Sequence, residues 1–351
     1  SACLVGSEMC IRDRNWYLDC GKDSDVVIST RIRYARNFEN YKFNIKDRLE
    51  AKKVELEVKE KLPSIGYNLK FCKMEDIDDL TKLSLLEKNI ISPECAMDKN
   101  KLCSILINDE ENICIMLNEE DHLREQIFGS GLDLEGTFNL AKEVDEKIEN
   151  LFKIAKNKKY GYLTSCPTNV GTGMRASVMV HLPGLTKTGN IRKILNAISN
   201  FGLNIRGIHG ENSNTSGDMY QISNKQTIGI REEEIIKNLK IITEKIVEQE
   251  REARKLLTKN KIELEDTLYR SYGILSNCKK MSSEESRKLL SDVKLGTDLG
   301  IIEELNDSKV LKMYLYTKPA NLQKYIGREL SAIERDIKLS LIHISEPTRQ
   351  A

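Results

Sequence analysis

Four stretches of this chain bring together residue types able to grip anions or accept protons. In Ser29-Thr30-Arg31-Ile32-Arg33 the two arginines stand two apart, and on a strand such residues project from the same face. Two parallel guanidinium forks suit a polyphosphate, because arginine donates in planar, bidentate fashion. A solvated basic edge strand would carry the same residues. Asn118-Glu119-Glu120-Asp121-His122-Leu123-Arg124 follows an apolar run directly. Three consecutive carboxylates repel one another unless a cation lies among them, and a substrate guanidinium is such a cation. An acidic loop opening a helix, where the dipole favours Asp and Glu, is the plainer alternative.

The third stretch, Cys166-Pro167-Thr168-Asn169-Val170-Gly171-Thr172-Gly173-Met174-Arg175-Ala176-Ser177, reads as a turn between strands. It sets a thiol and backbone N–H groups on a tight, exposed loop, with Arg175 opening the next strand toward the same cleft. A structural turn with an inert cysteine has the same composition. The fourth, Arg206-Gly207-Ile208-His209-Gly210-Glu211-Asn212-Ser213, places two glycines around a polar run. A loop that closes over a ligand has this make-up, and so does a plain hairpin loop. His122, His181 and His209 show no metal-ligand spacing and are read as structural or solvent-facing.

The elements that must position these residues follow from periodicity. A strand-like run begins at Val26 and leads through STRIRYARN, and a charged helical stretch from about Lys46 to Leu62 stops at Pro63. Ile105 to Ile107 and Ile113 to Leu117 are β-rich runs separated by Asp109-Glu110-Glu111-Asn112, which predicts a hairpin. Leu140, Val144, Ile148 and Leu151 recur at helical spacing. Strand signals return at Tyr160 to Cys166, Ala176 to Leu182, Asn204 to Ile208 and Met219 to Ile228, with a helix from Ile191 to Phe201 closed by Gly202. A long helix carries Ile235, Leu239, Ile242 and Ile246 and runs to about Leu257; beyond a boundary expected near Lys259-Asn260 the pattern is mostly helical. The fold class expected is α+β, an antiparallel sheet flanked by helices.

Composition excludes several classes. Lys plus Arg is 55 and Asp plus Glu is 54, so a net charge of +1 gives no overall pull toward nucleic acid or membrane. No apolar run approaches the length of a membrane-spanning helix, and no secretory segment stands near the start. The nine cysteines form no CxxC pair, which predicts neither a zinc site nor a disulfide framework, and points to a reducing cytoplasm. Residues 1–14 and 340–351 resemble translated sequencing-adapter read-through and are set aside; the authentic chain is expected to begin near Asn15 and to break off near Leu339. GxxxxGK[ST], HRD and DFG signatures are absent, and GSGLDLEG at 129–136 lacks dinucleotide-loop spacing.

Together, STRIR, NEEDHLR, CPTN-x-GTG-x-RAS and RG-x-x-GE in this order resemble the phosphagen (guanidino) kinase family. The resemblance covers roughly residues 24–338 and is closest to the bacterial protein arginine kinase branch, whose pattern is also followed by YQISN, SYGILSNC and SDVKLGTDLG. It implies a guanidino-kinase catalytic domain over 15–258 and a helical dimerisation and regulatory domain over 259–339. The activity implied is ATP-dependent phosphorylation of arginine in proteins, with ATP and Mg²⁺ and no protein metal ligands. Arg31, Arg33, Arg124, Arg175 and Arg206 would surround the phosphates, with Ser29, Thr30, Ile32, Ala176, Ser177, Val178, Met179, Gly207, Ile208, His209 and Gly210 completing the nucleotide site. Glu120 and Glu211 would hold and deprotonate the substrate guanidinium, with Cys166 beside it.

The same resemblance implies a phosphoarginine-sensing pocket, here reduced to Arg335 and Asp336 because Leu339 and Ser340 replace its later residues. Two further departures are Asn212 and Asn214 in the closing loop and Asn89 where the branch has a histidine near the adenine. Small-substrate members carry a helical domain before STR-x-R; only a short lead precedes Ser29, so the cleft is expected to admit arginine on a protein surface. Implied partners are exposed arginines of substrate proteins, a second copy of the chain, a zinc-binding activator, the Clp chaperone–protease and a heat-shock repressor, in bacterial stress response. The alternatives are a free-arginine kinase and a non-catalytic phosphoarginine-binding adaptor.

Overall fold

The computed structural model of the chain describes residues 16–99, 102–207 and 217–339. Its strands are β1 (Val27–Arg36), β2 (Lys70–Lys73), β3 (Ser104–Ile107), β4 (Ile113–Leu117), β5 (Leu123–Ser130), β6 (Lys156–Asn157), β7 (Gly161–Tyr162), β8 (Met174–His181), β9 (Leu203–Gly207) and β10 (Met219–Asn224). Among the described residues, eight of these form one antiparallel sheet in the order β2-β3-β4-β5-β1-β8-β10-β9, while β6 and β7 pair as a separate ribbon. The helices are α1 (Arg48–Lys61), α2 (Asp79–Glu87), α3 (Pro93–Ala96), α4 (Leu134–Leu151), α5 (Pro183–Lys187), α6 (Ile191–Asn200), α7 (Glu232–Leu257), α8 (Lys261–Asn277), α9 (Ser283–Asp298), α10 (Asp307–Tyr316), α11 (Pro319–Ile326) and α12 (Ala332–Leu339).

Register decides which side chains share a face. Residues directly opposite in neighbouring strands point the same way, and the side-chain period along a strand is two. Thr30, Ile32 and Tyr34 of β1, Ala176 and Val178 of β8, Ile127 of β5 and Ile222 of β10 therefore point to one side and are buried. There Ala141, Val144 and Ile148 of α4 and Ile235, Leu239 and Ile246 of α7 join the apolar members in one core. Burying each large aliphatic side chain is worth about 1.5–3 kcal/mol. α4 starts where the Asp133 carboxylate accepts the Gly136 N–H. The three glutamates opening α7 and the Arg254-Lys255 pair closing it both suit the helix dipole.

On the same face Arg36, with a fully buried side chain, donates to both carboxylate oxygens of Asp145 at 2.8 and 2.7 Å and stacks over the Tyr162 ring at 3.5 Å. It serves the core, unlike Arg31 and Arg33. Beside this pair, burial and the Asp145 charge push the Glu125 carboxyl well above the usual range.

Three expectations needed correction. The strand expected over Tyr160 to Cys166 shrinks to Gly161–Tyr162, because Asn37 donates to the Leu163 carbonyl and Asp121 accepts the Ser165 N–H, holding the following chain as a loop. The strand expected to reach Ile228 ends at Asn224, whose side chain bonds the Ala176 N–H and the Met174 and Gln226 carbonyls. The cysteines are not all unpaired. Cys95 of α3 and Cys103 form a disulfide, the turn between them drawn in by the Asp98 carboxylate accepting the Leu102 and Cys103 N–H groups.

α8 to α10 gather a core of their own, including Leu268, Leu275, Leu290, Val293 and Val310. It is fastened to the sheet side by buried charge. Arg254 of α7 bridges Glu250 and Asp298 at 2.7 and 3.1 Å, and Lys294 reaches the other Asp298 oxygen at 2.8 Å. Breaking such a buried pair by removing one member costs about 3–5 kcal/mol.

Candidate active site

The sheet face opposite the α4–α7 core collects the arginines. Arg33 of β1 lies opposite Arg175 of β8, Arg31 opposite Ser177, Ala35 opposite Arg124 of β5, and Gln221 of β10 opposite Arg206 of β9. Period-two alternation thus aims guanidiniums from four strands into one cavity of about 730 Å³, lined by Arg31, Arg33, Arg124, Arg175 and Arg206. The cluster is electrostatically crowded. Burial, then Arg124 and Arg175, lowers the pKa of Arg31 to about 10, and burial, Arg31, Arg124 and Arg175 hold that of Arg33 well below its usual value. Arg175 is lowered by burial, Arg206 and Arg124. A polyanion would relieve each of these repulsions at once, so the face suits clustered phosphates.

The three consecutive carboxylates are sorted by their surroundings. Both Glu119 oxygens accept from Arg124 Nη1, at 2.5 and 2.7 Å, with the Glu119 side chain 3% exposed. Burial alone would raise the Glu119 pKa, but Arg124 and a hydrogen bond from Ser92 outweigh it and lower it. Asp121 accepts from Asn37 Nδ2 and from the Ser165 N–H, each at 2.6 Å, and so ties β1 to the Cys166 loop. Glu120 remains exposed to the cavity, its pKa raised by burial, Asp121 and Glu119 and partly restored by a hydrogen bond from Cys166. The helix-opening alternative fails: this stretch is the bend between β4 and β5.

The loop that delivers Cys166 depends on glycine. A Cβ on Gly171, whose φ is +112°, would sit 2.2 Å from the Thr227 carbonyl, and one on Gly173 would meet the buried Arg36 guanidinium at 2.4 Å. Thr227 bonds the Thr168 and Val170 carbonyls at 2.9 and 2.8 Å, fixing the loop against β10's exit. Cys166 Sγ stands 3.1 Å from Thr168 Oγ1 and lines the cavity with Glu120.

Other sequence-predicted residues divide by face. Ser29, Ser177, Met179 and Gly207 line an adjoining cavity of about 340 Å³ that shares Arg31, Arg206 and Gln221 with the first and includes Asn89. Thr30, Ile32, Ala176 and Val178 are not brought to either cavity; their side chains face the core, where Thr30 Oγ1 bonds the Gly131 carbonyl. Ile208, His209, Gly210, Glu211, Asn212 and Asn214 lie outside the described residues. Arg335 and Asp336 sit on α12, away from both cavities, and the Asp336 carbonyl accepts the Met281 N–H. His122 is structural: its Nδ1 accepts the Phe38 N–H and its Nε2 donates to the Lys42 carbonyl. His181, also buried, pairs Nε2 with Ser291 Oγ.

Sequence reasoning missed Gln126 and Gln221. Gln126 stands two residues beyond Arg124 and hydrogen-bonds Arg31 at 3.4 Å, and Gln221 faces Arg206. Strand alternation from the arginines would have found both.

A guanidinium-crowded sheet face with the exposed Glu120 carboxylate beside it has the parts that a phosphoryl-transfer protein needs. A lombricine kinase crystal structure superposes with a TM-score of 0.57 over 67% of this chain and 70% of its own, at 24% identity. Residues 51–253 match the family described as ATP:guanido phosphotransferase, C-terminal catalytic domain, and residues 261–342 match the protein-arginine kinase McsB C-terminal domain. The chain belongs to the ATP:guanido phosphotransferase family. Relatives named protein-arginine kinase include one from Halothermothrix orenii, 47% identical over 92% of this chain and 93% of its own, and one from Bacillus pumilus, 45% identical over 93% and 91%.

Proposed function

We propose that this protein transfers the γ-phosphoryl group of ATP to the guanidinium of arginine residues in other proteins. The observation that carries the reading is the convergence of five arginines, Glu120 and Cys166 on one cavity; the names of the relatives favour a protein acceptor. An arginine guanidinium is protonated at physiological pH and is a poor nucleophile until it loses a proton. Glu120 is placed to accept a hydrogen bond from an acceptor N–H and to take that proton as the N–P bond forms and the bond from the γ-phosphorus to the bridging oxygen breaks. ADP leaves with the electron pair of the broken bond. Arg31, Arg33, Arg124, Arg175 and Arg206 hold the phosphates in line and stabilise the charge spread over the moving group. Glu211 is proposed as the second carboxylate and Cys166 as the neighbour that keeps Glu120 oriented.

Among the described residues, no group of three or more His, Cys, Asp or Glu side chains could hold a metal ion. The resemblance supports Mg²⁺ carried by the nucleotide's own oxygens, where it would screen the phosphate charge. The resemblance also supports assigning 15–258 to catalysis and 259–339 to dimerisation and regulation. It supports a cytoplasmic place in bacterial stress response as well, with a zinc-binding activator, a heat-shock repressor and the Clp protease as partners. Among the described residues no helix is long and apolar enough to cross a membrane.

The test offers Mg·ATP labelled at the γ position together with a protein acceptor or free arginine. Acid-labile, base-stable label on the protein is expected. Label on free arginine alone would replace the acceptor assignment, and label on neither would leave a phosphoarginine-binding adaptor.

A further inference from the structure

The second cavity has one wall from the sheet and one from the C-terminal helices. On the sheet side stand Phe128 and Met179, with Trp16 stacked on Phe128 at 4.8 Å between centroids and 16° between planes. The facing wall is Leu311, Tyr314 and Leu315 of α10, with Lys318 just beyond it. Its volume of about 340 Å³ and mainly apolar lining with a few polar groups suit a planar heterocycle. The end that shares Arg31 and Arg206 with the first cavity points to where the phosphates would lie.

The helical wall is fastened by buried polar contacts. The Glu87 carboxylate, closing α2, accepts the N–H groups of Ala320 and Asn321 at the start of α11 at 2.9 Å each. Lys318 Nζ donates to the Glu87 carbonyl, Ser84 Oγ to Asn321 Oδ1 at 2.6 Å, and Lys324 Nζ to Thr81 Oγ1 at 2.7 Å. Partnered polar groups of this kind leave few alternative dockings, because shifting the helices would strand several of them unbonded.

We propose that the C-terminal helices complete the nucleotide-base site: the base lies between Trp16, Phe128 and Met179 on one side and Leu311, Tyr314 and Leu315 on the other. The proposal rests on the reading of ATP as phosphoryl donor and adds what that reading lacks, a part for the C-terminal segment in holding substrate. Nucleotide binding and seating of α10 are then linked, each favouring the other.

Two probes separate base from phosphate, Mg·ATP and Mg·tripolyphosphate, with affinities measured by calorimetry on the full chain. Leu311→Trp fills the cavity, and Tyr314→Ala removes one side of it; because Tyr314 also packs against the core of Val310 and Met313, urea unfolding checks that each variant keeps its fold. Both variants are expected to weaken ATP at least tenfold and tripolyphosphate less than twofold. In the unaltered protein, amide exchange over 307–316 is expected to slow with ATP and not with tripolyphosphate. ATP affinity unchanged in both variants, or equal weakening of the two probes, would overturn the proposal. An unaltered protein that binds tripolyphosphate as tightly as ATP would overturn it too, while binding of neither probe would overturn the phosphate reading of the arginine cavity instead.

Discussion

Glu119→Gln exposes the balance of charge in the cavity. The residue is the direct countercharge of Arg124, through hydrogen bonds of 2.5 and 2.7 Å, and the Arg124 side chain is only 23% exposed. Removing one member of a buried pair costs about 3–5 kcal/mol, and hydrogen bonds to charged groups about 1.5–3 kcal/mol. Partial exposure of Arg124 places the loss near the lower figure, about 2–3 kcal/mol. In a chain of this size that corresponds to a fall of roughly 3–4 °C in Tm. Phosphate binding moves the other way, because the substitution removes the carboxylate nearest the guanidinium cluster; tripolyphosphate affinity should rise about three- to tenfold. Turnover should fall, since Arg124 loses the group that aims it. Urea unfolding, calorimetry and initial rates on one preparation measure all three. A variant as stable as the parent that binds tripolyphosphate no better would refute the argument that Glu119 neutralises this cluster.

Other substitutions separate the two sheet faces. Arg33→Met should stabilise the protein by about 1 kcal/mol, the scale of one relieved like-charge contact, while removing most transfer activity; loss of stability in urea would contradict the crowding argument. Ile32→Ala should cost about 2–5 kcal/mol of stability and leave ATP affinity within twofold, because its side chain faces the core; a tenfold change in affinity would show that the faces are wrongly divided. Asp145→Asn should cost about 3–5 kcal/mol by stranding the fully buried Arg36 charge, read by the same unfolding assay. The raised Glu120 pKa sets the pH profile. Only its ionised form accepts the proton, so kcat/KM should fall tenfold per pH unit below a midpoint lying above about 4.3, the ordinary glutamate value. A midpoint at or below that value would remove Glu120 from the role.

Much of this site could be read from spacing alone. Arg31 and Arg33 share a face because they stand two apart, and Arg36, at odd separation from both, falls on the other side, where it pairs with Asp145. Helices near 134–151, 191–200 and 232–257 followed from apolar periodicity. What spacing could not sort was Glu119 from Glu120 and Asp121. Their different fates depend on Arg124, Asn37 and Ser165, which a bend and a distant loop bring in. The Cys95–Cys103 link depends on a local turn drawn in by Asp98, with no CxxC signal to announce it. The wall that α10 presents to Met179 and Phe128 spans contacts far apart in sequence, and α10's own pattern is that of any amphipathic helix.

The central claim is that Glu120 takes the proton while the arginines hold the phosphates, and one comparison tests it directly. Phosphoramidate formation on a protein acceptor is followed by ³¹P NMR for the parent and for Glu120→Ala, with ATP affinity measured on the same samples. The account predicts a resonance for phosphorylated arginine from the parent, none from the variant within the same time, and ATP affinities within a few-fold of each other. An undiminished rate in the variant would contradict it.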